Sequence, residues 1–214
     1  MPGFDIVWIL KSVPAVIIGL TVHEFAHAWT AWRLGDTTAR DSGRLTLNPV
    51  KHIDPLGFLL IVIAGFGWAK PVLFNPQNLK HRHRDEILIS LAGPFSNLLI
   101  GLLFFLLARL LYVFPFFRGT PLGTESVNLL LVWGLMNFGL FVFNLLPIPP
   151  LDGSHLYLTF LGTINAKLMN TIYRFGTYGL LIIILIDNRT NAHLLPISSV
   201  IGVIGDYLIR LLRF

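Results

Sequence analysis

The chain has 214 residues, of which 54% are hydrophobic and only 13% are charged. Soluble domains carry about 25% charged residues, so this composition excludes a water-soluble globule. The aromatic content of 13% excludes an intrinsically disordered chain as well. The sequence therefore predicts an integral membrane protein.

The formal net charge of +5 does not indicate a nucleic-acid-binding protein. Basic residues lie between apolar runs, where they set membrane orientation, and do not cluster as on a soluble nucleic-acid-binding surface. The chain contains no cysteine, so a bound metal ion would need histidine and carboxylate ligands. The first hydrophobic segment lacks the features of a removable signal peptide, and we expect it to remain in the mature protein.

Apolar runs of about 20 residues, the length that crosses a bilayer as a helix, predict the membrane spans. We expect an all-α polytopic protein with about five transmembrane helices. Three belong to a core in residues 1–160, and two follow in residues 161–214. The predicted spans are 6–34, 87–114, 127–146, 168–186 and 194–212.

A shorter apolar run lies within residues 56–74. Its apolar part, residues 56–67, would rise only about 18 Å as a helix, which is too short to cross a hydrocarbon core of about 30 Å. If the segment is re-entrant, the basic residues before and after it share one compartment, which the positive-inside rule assigns to the cytoplasm. If it spans instead, this charge bias is lost. We therefore predict a re-entrant hairpin, with the N-terminus of the chain outside and its C-terminus inside.

Residues 23–27, His-Glu-Phe-Ala-His, form the pattern His-Glu-x-x-His within the first span. On a helix, His23 and His27 lie on one face, so both imidazoles can reach one metal ion. Each ionisable residue near the middle of a spanning helix costs on the order of 2.5–3.5 kcal/mol, so three within five positions indicate a compensating partner. The alternative is that the histidines form hydrogen bonds with neighbouring helices.

A catalytic zinc site takes three protein ligands, and Asp152 is the best candidate for the third. It follows the third long span at the predicted cytoplasmic end, after three prolines that break the helix and let the chain turn inward. The alternative is a turn at the membrane surface. We predict a metal site between the first and third long spans.

These motifs resemble those of the site-2 protease family, the intramembrane zinc metalloproteases. That family pairs His-Glu-x-x-His with a later Asn-x-x-Pro-x-Pro-x-x-Asp-Gly segment, and residues 144–153 match every fixed position of it. Residues 92–97, Ala-Gly-Pro-Phe-Ser-Asn, are similar to the family's Gly-Pro-x-x-Asn element. The resemblance covers about residues 12–160, and we expect a small form without appended soluble domains.

The resemblance implies one zinc ion per chain, with His23, His27 and Asp152 as its ligands and Glu24 as the general base. It implies hydrolysis of a peptide bond in or near a transmembrane segment of a substrate protein. It also implies a small β-structure in residues 65–72, whose edge can pair with the substrate. For Asn144 we expect hydrogen bonding to the oxyanion or to the substrate backbone; the alternative is interhelical hydrogen bonding.

Two other functions stay open at this stage. Intramembrane histidine and carboxylate residues also mark proton relays, so a transporter is one alternative, and a metal-binding scaffold is the other. A relay does not require the spacing of His23 and His27, and a scaffold does not require Glu24. The expected partners are a transmembrane protein substrate and the bilayer, with no nucleic acid. The expected location is a prokaryotic cell membrane, with the active site toward the cytoplasmic side.

Overall fold

The computed structural model describes residues 6–64, 67–190, 194–195 and 197–212. The described residues are mostly helical and contain no β-sheet, only one isolated bridge. The predicted all-α class is confirmed. The helices are α1 Ile6–Arg33, α2 Thr38–Asp41, α3 Pro49–His52, α4 Pro55–Ala64, α5 Arg82–Tyr112, α6 Pro115–Gly119, α7 Pro121–Asn144, α8 His155–Ile164, α9 Ala166–Thr190 and α10 Ile197–Leu212.

Four described helices are long and apolar enough to cross a membrane, so the protein is an integral membrane protein. They lie in α1, α5, α7 and α9. The fifth predicted span, 194–212, corresponds to α10, which has 16 described residues. Such a helix rises about 24 Å and falls short of the hydrocarbon thickness.

Two helices begin five or six residues before the spans predicted for them. α5 begins at Arg82 rather than at residue 87, because its polar first turns are also helical, with Arg82 paired to Glu86. α7 begins at Pro121 rather than at residue 127, because Thr120 caps it by accepting a hydrogen bond from the Gly123 amide. Hydropathy locates the apolar centre of a helix but not its polar ends.

Helices α1, α5 and α7 pack against one another and form the core of the bundle. Phe105 of α5 and Phe138 of α7 are buried and contact each other edge to face, with ring centroids 5.7 Å apart. The indole of Trp133 in α7 donates a hydrogen bond to the carbonyl of Lys11 in α1 at 2.6 Å. α8 joins this core to α9, and α10 packs on α7. Any polar group facing the junction of α1, α5 and α7 is therefore shielded from lipid.

The segment predicted to be re-entrant consists of α4 and an extended stretch that returns along it. Ile53 and Ala69 form an antiparallel bridge, and the Lys70 amide donates to the His52 carbonyl at 2.8 Å. The two ends of the segment thus lie side by side, which is the geometry that a re-entrant hairpin requires. The small β-structure expected here amounts to this single bridge among the described residues, and residues 65–66 lie outside them.

Asp36 ties the end of α1 to the chain that precedes α5. Its fully buried carboxylate accepts hydrogen bonds from Thr38, from the Asn75 amide and from the Asn78 side chain. Burial alone would raise the pKa of Asp36, but these hydrogen bonds stabilise the anion and hold the pKa below its usual value. This contact fixes the extended stretch next to the helix that carries the His-Glu-x-x-His pattern.

Cysteine labelling tests the re-entrant prediction, because the chain has no cysteine of its own. Cysteines at Val50, which is 78% exposed, and at Lys80 should react with a membrane-impermeant maleimide from the same side of the membrane. A cysteine at Leu122, which is 71% exposed at the start of α7, should react from the other side. Reaction of the first two positions from opposite sides would show that residues 56–74 span the bilayer.

Candidate metal centre

His23 and His27 lie on one face of α1, and both are buried, with ring centroids 4.6 Å apart. The Nδ1–H of His27 donates to the carbonyl oxygen of Ile89 in α5 at 2.7 Å. The Nδ1–H of His23 donates to Oδ1 of Asn97, also in α5, at 2.7 Å. These two bonds leave both Nε2 lone pairs free, and the two Nε2 atoms are only 3.0 Å apart.

Asp152 faces the same point. Its Oδ2 lies 3.1 Å from His23 Nε2 and 3.5 Å from His27 Nε2. This oxygen is buried and has no hydrogen-bond partner in the described structure. A buried carboxylate oxygen facing two imidazole lone pairs calls for a cation among the three atoms.

The chain reaches this position because α7 ends at Asn144 and three prolines follow before Asp152. The backbone at Gly153 then packs so closely on the end of α7 that a Cβ there would lie 2.2 Å from the Leu145 carbonyl oxygen. Asp152 opens the short 3-10 helix Asp152–Ser154 that leads into α8. The fold-back brings a residue 125 positions beyond His27 into contact with it.

The three donor atoms fit a zinc ion. Zinc–ligand distances near 2.1 Å in a tetrahedral site place the donors about 3.4 Å apart. The three observed separations run from 3.0 to 3.5 Å. Among the described residues, His23, His27 and Asp152 are the one group of histidine and acidic side chains that could hold a metal ion. The structure thus brings together the three predicted ligands.

Gly93 leaves the space that a metal ion would need. It lies on α5 directly opposite the two rings, and a Cβ at this position would be 2.4 Å from His27 Nε2 and 2.6 Å from His23 Nε2. Any side chain would therefore enter the space where the three donors converge. The sequence contained this signal only as a glycine within the Gly-Pro-x-x-Asn element.

Glu24 is buried and is held by a backbone group rather than by a cation. Its Oε2 accepts a hydrogen bond from the amide of Val72 at 2.8 Å. Val72 belongs to the extended stretch that returns from the hairpin, so this stretch lies next to the candidate metal centre. The second carboxylate oxygen, Oε1, is left for water or substrate.

Asn97 orients His23 through a chain of amides, a role that the sequence analysis did not assign to it. The side-chain NH₂ of Asn97 donates to the Gly19 carbonyl and to Asn137 Oδ1, both at 3.1 Å. Its Oδ1 must therefore face His23. Asn137 in turn donates to the Trp133 carbonyl at 3.0 Å. Asn97 and Asn137 are both fully buried, so these bonds fix the His23 tautomer within the bundle.

Asn144 does not join this group. Its side-chain NH₂ donates to the carbonyl of Leu140, one turn back in its own helix, at 3.0 Å. A catalytic role for Asn144 stays a prediction without support from its contacts.

The fold and the site define a class: an integral membrane protein with a buried centre of two histidines and an aspartate. Comparison with known proteins agrees with it. The family model described as peptidase family M50 matches residues 120–186. The chain is 44% identical over 141 residues to the "Putative zinc metalloprotease YwhC" of Bacillus subtilis (strain 168), an alignment that covers 66% of this chain and 64% of that protein.

Two mycobacterial proteins, each named "Putative zinc metalloprotease Rip2", are also similar. The protein of Mycolicibacterium smegmatis is 34% identical, and that of Mycobacterium tuberculosis (strain H37Rv) is 35% identical, each over 142 residues, 64% of this chain and 52% of theirs. No solved structure matches the chain significantly. The chain spans less than two thirds of the length of these relatives. Over the matched residues, the chain is similar to peptidase family M50, the site-2 protease family.

Substituting Gly93 tests the geometry of the centre. We expect Gly93→Ala to lose most of its bound zinc, because the added Cβ would lie 2.4 Å from His27 Nε2. Gly179→Ala is the control, since no atom outside its own helix lies within 4 Å of a Cβ built there. Metal analysis of the purified proteins measures the difference. Full zinc occupancy in Gly93→Ala would contradict the proposed position of the ion.

Substituting Asn97 tests the orientation of His23. We expect Asn97→Ala to weaken zinc binding about 10–100-fold, the usual effect of removing the hydrogen-bond partner of a metal-binding histidine. The exposed Asn128 on α7 provides the control variant Asn128→Ala. Titration with a competing chelator measures both affinities. Equal affinities would show that Asn97 does not orient a ligand.

Proposed function

We propose that the protein is a zinc-dependent intramembrane endopeptidase that hydrolyses a peptide bond in or near a transmembrane segment of a substrate protein. The observation that carries this proposal is the convergence of two imidazole lone pairs and a buried, unbonded carboxylate oxygen on one point, with a second carboxylate beside them. His23, His27 and Asp152 would hold the ion.

A zinc ion at this position supplies Lewis acidity, which acidifies water and polarises a peptide carbonyl. Glu24 would serve as the general base, because it lies between His23 and His27 on the same helix and the one described hydrogen bond to its carboxylate uses Oε2. Glu24 Oε1 would take the proton from the attacking water and pass it to the leaving amine. The hydrogen bond from Val72 holds the other oxygen, so the carboxylate does not have to reorient during the reaction.

The position of the centre within α1 supports a membrane-embedded substrate. His27 lies six residues before the end of α1 at Arg33, which places it about 9 Å inside the helix end. The side chain of Asp152 is 19% exposed, so the centre is open on the side of the turn that follows α7. A substrate helix would have to unwind here, because a helical backbone does not offer its peptide bonds to a buried metal ion.

The alternatives are less consistent with the geometry. A proton relay would use its histidines and acids in succession, whereas here three side chains point at one atom-sized space. A metal-binding scaffold would need Glu24 only as a counter-charge and not as a proton acceptor. The bacterial origin of the first relative supports a prokaryotic cell membrane. The excess of basic residues around the hairpin supports a centre toward the cytoplasmic side.

Separating metal binding from catalysis tests the proposal. We expect Glu24→Gln to keep about one zinc ion per chain and to lose cleavage of a single-span peptide carrying a fluorophore and a quencher on either side of its apolar segment. His23→Ala and Asp152→Ala should lose both the zinc ion and the cleavage activity. Glu125→Gln is the matched control, because Glu125 pairs with Lys11 at the far end of the bundle and is half-exposed. Cleavage retained by Glu24→Gln would refute the mechanism.

A further inference from the structure

Arg44 is a buried arginine without an acidic partner. Only 9% of the residue is exposed, and no described carboxylate pairs with its guanidinium. It donates instead to three backbone carbonyls, those of Lys51, Lys70 and Pro71. Burying an unpaired guanidinium is costly, so the contacts it makes require an explanation beyond surface charge.

The three acceptors show what Arg44 holds. Lys51 precedes the hairpin in α3, whereas Lys70 and Pro71 belong to the extended stretch that returns from it. The planar guanidinium presents five donors in a fixed arrangement, so it can bind carbonyls from both arms at once. Arg44 therefore clamps the two ends of the hairpin together.

The residues that Arg44 holds directly precede the residue that binds Glu24. The amide of Lys70 donates to the His52 carbonyl, and the carbonyls of Lys70 and Pro71 accept from Arg44. Pro71 has no amide proton, so the next donor along the chain is the amide of Val72, which binds Glu24. The two residues before this donor are both fixed, and they set the direction of the Val72 amide.

We propose that Arg44 is a positioning residue for the reaction, because it holds residues 70–71 so that the Val72 amide orients the Glu24 carboxylate. This inference rests on the proposed function, in which Glu24 is the general base. Glu24 has three side-chain torsions that would otherwise be free to turn. Because the folded structure already fixes one carboxylate oxygen, the entropy of these torsions does not have to be lost at each turnover.

A purely structural role for Arg44 has different consequences. A residue that only stabilises the hairpin would, when replaced, lower thermal stability, zinc content and substrate affinity together. A residue that positions Glu24 would lower kcat and leave KM and zinc content unchanged. It would also act through the same hydrogen bond as the Val72 amide, so the two effects would not multiply.

The experiment is a double-mutant cycle on the full chain, with cleavage of the quenched single-span peptide and zinc content as readouts. Arg44→Gln removes the clamp, and Val72→Pro removes the amide donor. Leu73→Pro is the matched control for Val72→Pro, because Leu73 is the exposed next residue and its amide does not contact Glu24. We expect each of the first two variants to lower kcat about 10–100-fold, the usual effect of losing a hydrogen bond to a charged group. The kcat of the double variant should be no lower than that of the less active single variant.

Wild-type kcat in Val72→Pro, or effects of Arg44→Gln and Val72→Pro that multiply, would overturn the inference. Loss of zinc in Arg44→Gln would overturn it as well. If that variant does not fold, Arg44→Lys takes its place, because an ammonium group keeps the charge but not the planar fork. A wild-type protein without cleavage activity refutes the proposed function itself. An active wild type, an inactive Glu24→Gln variant and a fully active Val72→Pro variant refute only the role of Arg44.

Discussion

The packing of the core helices depends on one electrostatic constraint: three electron-pair donors face one another inside a membrane protein, and a cation is needed among them. The tautomers of His23 and His27 are set by acceptors on α5, so neither Nε2 carries a proton to donate to the other. Asp152 adds a negative charge at 3.1 Å from one ring. α5 must then approach α1 closely, which only a glycine at position 93 allows.

The same constraint explains why so many polar groups around the centre are bound to backbone atoms. Within lipid, each unsatisfied polar group costs several kcal/mol, and helices leave few carbonyls available. Here Ile89 and Gly19 supply their carbonyl oxygens to His27 and Asn97. Because these acceptors belong to the helices, the two histidines are held by rigid elements rather than by loops. Such support keeps the donor atoms at metal-binding distance before an ion arrives.

The parts of the site that follow from local geometry could be predicted from the sequence. The spacing of His23 and His27 places them on one helical face whatever the rest of the chain does. Asp152 is indicated by the few acidic residues, by the prolines before it and by the motif of residues 144–153, whereas its contact with the rings is a tertiary one. The role of Asn97 could not be assigned, because its match to the Gly-Pro-x-x-Asn element does not show which group it binds. The Val72 amide could not be found at all, because a backbone N–H carries no sequence pattern. Asn144 shows the opposite case, in which a residue matches a motif but its amide binds its own helix.

Charge balance gives Glu24 a second purpose. A divalent ion held by two neutral imidazoles and the Asp152 carboxylate leaves one positive charge, which a membrane interior tolerates poorly. The buried Glu24 carboxylate next to these ligands cancels that charge. A monovalent ion would leave the group with a net negative charge, so the set of side chains favours a divalent cation. The proposed general base and the counter-charge are then the same residue. Holding it by the uncharged amide of Val72 keeps this balance intact, where a lysine or arginine partner would disturb it.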